Sequence, residues 1–80
     1  MKPVEPHLTL TCIDEAQCKV YFEPWGTEHV LERGTVMYVE SAALLSGDVE
    51  VSYVTGGITL VFTSDAPVTI TDGTGRQLEL

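Results

Sequence analysis

Apolar and polar residues alternate with a period of two along much of the 80-residue chain. Val49, Val51 and Tyr53 alternate with Asp48, Glu50 and Ser52, and after Gly56-Gly57 the residues Ile58, Leu60 and Phe62 alternate with Thr59 and Thr63. Side chains that change face at each step mark half-buried strands. A two-residue Gly56-Gly57 turn would set Thr55 opposite Ile58, Tyr53 opposite Leu60 and Val51 opposite Phe62, and so gather the large apolar side chains on one face. A second hairpin is predicted from Val68 to Leu80. With Gly73, Thr74 and Gly75 as a three-residue loop and Gly75 left-handed, Ile70 faces Leu78, Val68 faces Leu80 and Asp72 meets Arg76.

The same rhythm continues upstream. Leu8, Leu10 and Cys12 alternate with Thr9 and Thr11, while Cys18, Val20 and Phe22 alternate with Lys19, Tyr21 and Glu23. These read as two strands joined around Asp14 to Gln17. His29 to Leu31 and Val36 to Glu40 read as shorter strands turning at Glu32-Arg33-Gly34-Thr35. The one helical candidate is a single turn over Ser41 to Gly47, with Ser41 as N-cap, Gly47 as the stop, and Leu44 or Leu45 lowered over an open end. The expected architecture is an all-β, single-domain antiparallel sandwich or small barrel of seven or eight short strands spanning residues 1–80.

Composition supports folding but limits the interior. Hydrophobic residues make up 44% of the chain and charged ones 20%, too apolar for a disordered tail. A chain this short has one thin core at most, and a ligand pocket of roughly 300 Å³ or more would compete with it. No apolar run reaches the length of a membrane span, and Met1 to Pro6 hold no leader-like stretch, so the expected location is cytoplasmic. The net charge of −8 repels phosphate backbones and anionic lipid, which argues against nucleic-acid and membrane partners.

Candidate chemistry is sparse. Cys12 and Cys18 fall on the inward faces of neighbouring strands if the hairpin around Asp14 to Gln17 closes symmetrically, so a disulfide is conceivable, yet a cytosolic setting favours buried free thiols. Adding His7 and His29 gives a Cys2His2 set whose spacing suits no zinc knuckle, so neither metal nor other cofactor is expected. Glu28-His29 can be drawn with Ser41 or Cys18 as a nucleophile, but no spacing selects that set, and the chain reads as a non-enzyme.

Two features stand out as surfaces. In Glu23-Pro24-Trp25-Gly26-Thr27-Glu28-His29, Pro24 ends the strand, Gly26 permits a bend, and the sole Trp lies between acids; Glu23, Pro24, Trp25, Gly26, Glu28 and His29 form the candidate binding site. The alternative is that Trp25 folds back over the end of the core. From Val51 to Ser64 no residue is charged, and the second face of that hairpin, Ser52, Val54, Thr59, Val61 and Thr63, lacks the charges that guard exposed strands. It is the candidate self-association face.

The segment from Phe22 to Leu31 resembles a motif of short bacterial proteins that are themselves uncharacterised, and the resemblance implies no activity. Leu31-Glu32-Arg33-Gly34-Thr35-Val36 is similar to strand-turn-strand elements of cupins. The clustered histidines and glutamate that bind metal in cupins have no counterpart here, so cupin-type metal chemistry does not carry over. The functional expectation is a small protein-binding or assembly module with a protein partner, including a second copy of itself. The alternative is an acidic inhibitor or antidote of a basic protein, with Glu23, Glu28, Glu32, Glu40, Asp48 and Glu50 supplying the field. A small enzyme or metal-binding cupin-like domain is the least favoured class.

Overall fold

The computed structural model describes residues 6–80; the stretch read above for a leader lies mostly in residues 1–5, outside the described residues. Eight strands and one helical turn follow in the order β1 (His7–Thr11), β2 (Gln17–Glu23), β3 (Thr27–Glu32), β4 (Val36–Glu40), α1 (Ala43–Ser46), β5 (Val49–Val54), β6 (Gly57–Phe62), β7 (Thr69–Asp72) and β8 (Gln77–Leu78). They form two four-stranded sheets, β1-β4-β7-β8 and β3-β2-β6-β5. The molecule measures 32 × 29 × 18 Å, and the short dimension is that of two stacked sheets with their side chains. Between them lies one core, in which Val20, Phe22, Leu31, Leu60 and Phe62 of the second sheet meet Met37, Val39 and Ile70 of the first. The all-β sandwich expected from periodicity is the fold.

Pairing departs from expectation in the first half of the chain. β1 and β2 do not form a hairpin: β1 pairs antiparallel with β4, and β2 lies in the opposite sheet between β3 and β6. Two strands that each carry one apolar face can bury those faces against each other only by stacking, not by lying side by side. The loop between them therefore crosses from one layer to the other. Arg33 holds it in place, donating from its backbone N–H to the Ala16 carbonyl at 2.9 Å and from Nη2 to the Asp14 carbonyl at 2.9 Å. The turn after β3 is likewise an arch between sheets, with Gly34 at φ +81° and its N–H on the Cys12 carbonyl. One neighbouring pair, β2 with β6, is parallel, so the sandwich is not purely antiparallel.

The β5–β6 hairpin forms with a register two residues from the expected one. Thr55-Gly56 is the turn, Val54 faces Gly57, Tyr53 faces Ile58, Val51 faces Leu60 and Val49 faces Phe62. A slip of two preserves the faces, so Tyr53 and Leu60 still point to the same side. Gly57 is withdrawn from the turn by the neighbouring strand. It lies where β6 meets β2, and a Cβ there would sit 1.9 Å from the Lys19 carbonyl oxygen.

The second hairpin keeps its predicted register, with Ile70 opposite Leu78, Gly75 at φ +91° and the Asp72 N–H on the Arg76 carbonyl at 2.9 Å. Its ladder stops short of Val68 and Leu80, since β7 begins at Thr69 and β8 ends at Leu78. In α1 the N-cap position is Ala42 rather than Ser41, although Ser41 Oγ accepts the Ala43 N–H at 3.2 Å. Gly47 ends the turn as expected. Ala43, not a leucine, is the residue lowered into the core; Leu44 is half-buried and Leu45 is 77% exposed. A single turn directs only one face inward, and here that face carries the small residue.

Candidate functional site

The order β3-β2-β6-β5 decides what the candidate residues can do together. Residues opposite one another in the ladders share a face, so Glu28, Tyr21, Thr59 and Ser52 form one row across the outer side of this sheet. Glu23, Val61 and Glu50 form the row on one side of it, and Val30, Lys19, Gly57 and Val54 the row on the other. Strand β2 thus joins the acids of the Trp25 segment to the uncharged face of the β5–β6 hairpin. No third layer of strand or helix covers this side among the described residues. Ser52, Thr59 and Val61 are half-buried by their neighbours, Val54 and Thr63 are exposed, and Val30 is 45% exposed.

The six residues of the candidate binding segment divide. Glu23 and Glu28 lie on the outer face. Pro24, Trp25 and Gly26 make the turn from β2 to β3, with a cis peptide before Pro24, Gly26 at φ +76° and its N–H on the Phe22 carbonyl at 2.9 Å. Trp25 folds back over the end of the core only in part. Its ring meets Phe62 at 5.5 Å between centroids, closing that end of the core, while 43% of the residue stays exposed. His29 is not part of the outer surface. It points between the sheets, edge-on to Phe22 at 5.9 Å, and Nε2 donates to the Glu79 carbonyl at 2.5 Å. Since a carbonyl can only accept, Nε2 carries the proton.

The remaining polar and titratable side chains make contacts of their own. His29 ties the edge strand β3 to the chain just after β8. Ser41 is buried and supports the first N–H of α1. Asp72 accepts from the Thr74 hydroxyl at 2.6 Å and from the N–H groups of Thr74 and Arg76, and these bonds hold its carboxyl below the usual range. Cys12 and Cys18 are both free. The neighbouring Cys18 thiol, aided by burial, pushes the Cys12 thiol, which donates to the Glu15 carbonyl at 3.4 Å, up to about 11, far from a thiolate nucleophile at neutral pH. Among the described residues no three His, Cys, Asp or Glu side chains gather as metal ligands, and no helix is long and apolar enough to cross a membrane.

The chain matches no protein-family model, no curated protein and no solved structure. Its surfaces therefore have to be read from their own chemistry. Sequence reasoning left Tyr21 and Val30 out of the candidate site. Their outward parity was legible, but not that β2 and β3 would lie beside the β5–β6 hairpin. It also assigned Val51 and Tyr53 to a buried face. They do point to the inner side, yet Val51 is 48% and Tyr53 90% exposed, because β5 is the edge of its sheet and overhangs the core.

Proposed function

We propose that this protein is a non-enzymatic protein-binding module whose docking surface is the outer side of the β3-β2-β6-β5 sheet together with the Trp25 turn. The observation that carries this reading is the continuity across β2 of acids with uncharged, partly apolar residues. Tyr21, Val54, Thr59 and Val61 offer area that desolvates cheaply, while Glu23, Glu28, Glu32 and Glu50 surround it with four negative charges against, among the described residues of this face, the one cation of Lys19. Such a face suits a basic protein partner: charge steers the encounter and apolar area holds the complex. A second copy would bring the same acids against each other.

The test is capture of partners from native lysate by the wild-type chain, by Trp25→Ala and by Glu23→Lys/Glu28→Lys, with binding measured across salt. The expected result is a basic partner whose affinity falls between low and physiological ionic strength, weakened by both variants. Binding unaffected by the charge reversal would overturn the outer-face reading. A concentration-dependent dimer in sedimentation, abolished by Val61→Lys, would replace the basic partner with a second copy.

A further inference from the structure

The two long sides of the sandwich differ. On the side of β3 and β8 the sheets are tied by His29 and Glu79. On the side of β1 and β5 a cleft of about 520 Å³ opens between them, lined mainly by apolar side chains such as Leu8, Leu10, Val20 and Ile58, with Val51 and Tyr53 at its mouth and Lys19 as its one charged lining residue. Among the described residues both bordering strands are sheet edges.

The direction of the backbone groups along β5 follows from its ladder. The Thr63 N–H donates to the Asp48 carbonyl, so Asp48–Thr63 is a hydrogen-bonded pair, and by alternation so are Glu50–Val61, Ser52–Thr59 and Val54–Gly57. The N–H and C=O groups of Val49, Val51 and Tyr53 therefore point away from β6, along the open edge, while their side chains face the cleft. A strand laid on this edge would find its hydrogen-bonding partners and its apolar pocket on the same residues.

Charge narrows the occupant. Alternate residues of an added strand would emerge on the outer side, continuing the row Glu23, Val61, Glu50, where a cation is favoured and an anion opposed. The whole chain carries −8, which works against a second copy and for a basic segment.

We propose that the β1–β5 cleft is a strand-addition site for an extended peptide segment of alternating apolar and basic residues, paired to the free edge of β5. It uses the opposite side of β5 from the outer-face reading and does not depend on it. The test is an NMR titration of the isotopically labelled full chain with a capped Lys-Val repeat peptide of about six residues, matching the length of β5. A Glu-Val repeat and a blocked Lys-Lys-Lys-Val-Val-Val peptide serve as controls. The expected result is saturable shifts and slowed exchange at the Val49, Val51 and Tyr53 amides with the Lys-Val repeat alone. Val51→Pro removes an edge N–H that the β5–β6 ladder does not use, and Tyr53→Lys places a cation at the mouth without touching the core. Each should weaken binding about tenfold or more, while Leu45→Ala, at an exposed position of α1 outside the cleft, leaves it unchanged. Equal binding of the Glu-Val repeat, shifts confined to Trp25 and Glu28, or no shifts at all would overturn the proposal. So would edge amides protected from exchange before any peptide is added, whether by the chain's own first residues or by a second copy.

Discussion

Gly56 and Gly57 are adjacent and identical, but they do different work. Gly56 supplies the left-handed backbone of the turn at φ +79°, with nothing near its absent side chain. Gly57 has no unusual φ, but its hydrogen faces the β2 backbone where any methyl would collide with the Lys19 carbonyl. Gly56→Ala should thus cost about 1–2 kcal/mol, the usual penalty for a left-handed L-residue. Gly57→Ala should cost more, about 2–4 kcal/mol, because the β2–β6 ladder has to open. Urea midpoints of the two variants check the order. If both were turn positions, as the Gly-Gly pattern suggests, their costs would be alike.

Cys12 offers a second test at this scale. Its thiol is raised to about 11 in the folded chain from an ordinary value of 9.0. The unfolded chain then holds fewer protons than the folded one between these values, so stability falls as pH rises through that window. The contribution is complete below about pH 9. Thermal melts of the wild type and Cys12→Ala should converge as pH rises from about 9 toward 11. Parallel curves would show that the raised Cys12 thiol does not contribute to folding.

Among elements, β3 and β8 depend on each other although neither sheet contains both. β8 has two residues and one neighbouring strand, so its ladder alone is weak. The His29–Glu79 bond anchors the chain immediately beyond it. His29→Ala should cost about 1 kcal/mol, the net worth of one hydrogen bond, and hydrogen exchange should quicken at Gln77 and Leu78 while β5 and β6 are unaffected. Uniform acceleration across both sheets would mean that β8 is held by other contacts.

The elements themselves were legible because each rests on local information. Alternation names a strand, and the glycines at 34, 47 and 75 take the positive φ values that end one element and start the next. The Asp72 turn was readable to the level of register, since one loop length alone satisfied both the glycine and the Ile70–Leu78 pair. The β1–β2 pairing was misread for the same reason that β1 and β2 were recognised. A short loop between two alternating segments looks alike whether the chain folds back beside itself or crosses to the other sheet.

At the scale of the whole molecule, charge and thinness act together. Eight net negative charges on a slab 18 Å thick repel one another in the compact state. Raising salt from about 10 mM to about 150 mM shortens the screening length from roughly 30 Å to roughly 8 Å. The melting temperature should rise over that range; a fall would mean that ion pairs outweigh the repulsion. The same thinness explains the open cleft. So short a chain has little bulk with which to close the sandwich along both sides, and among the described residues the bond from His29 ties one of them.

The sequence by itself determined that this chain forms strands, where most of them turn and which side chains lie on the same face of each, because a period of two and a glycine's φ are properties of a few neighbouring residues. Only the tertiary structure decided which strands became neighbours and which became edges. That choice left the inward-facing Val51 and Tyr53 in solvent at a sheet edge, drew His29 between the sheets and joined Glu23 and Glu28 to the β5–β6 hairpin. Each of these follows from how two layers stack over one shared core, a balance over the whole chain that no local pattern records.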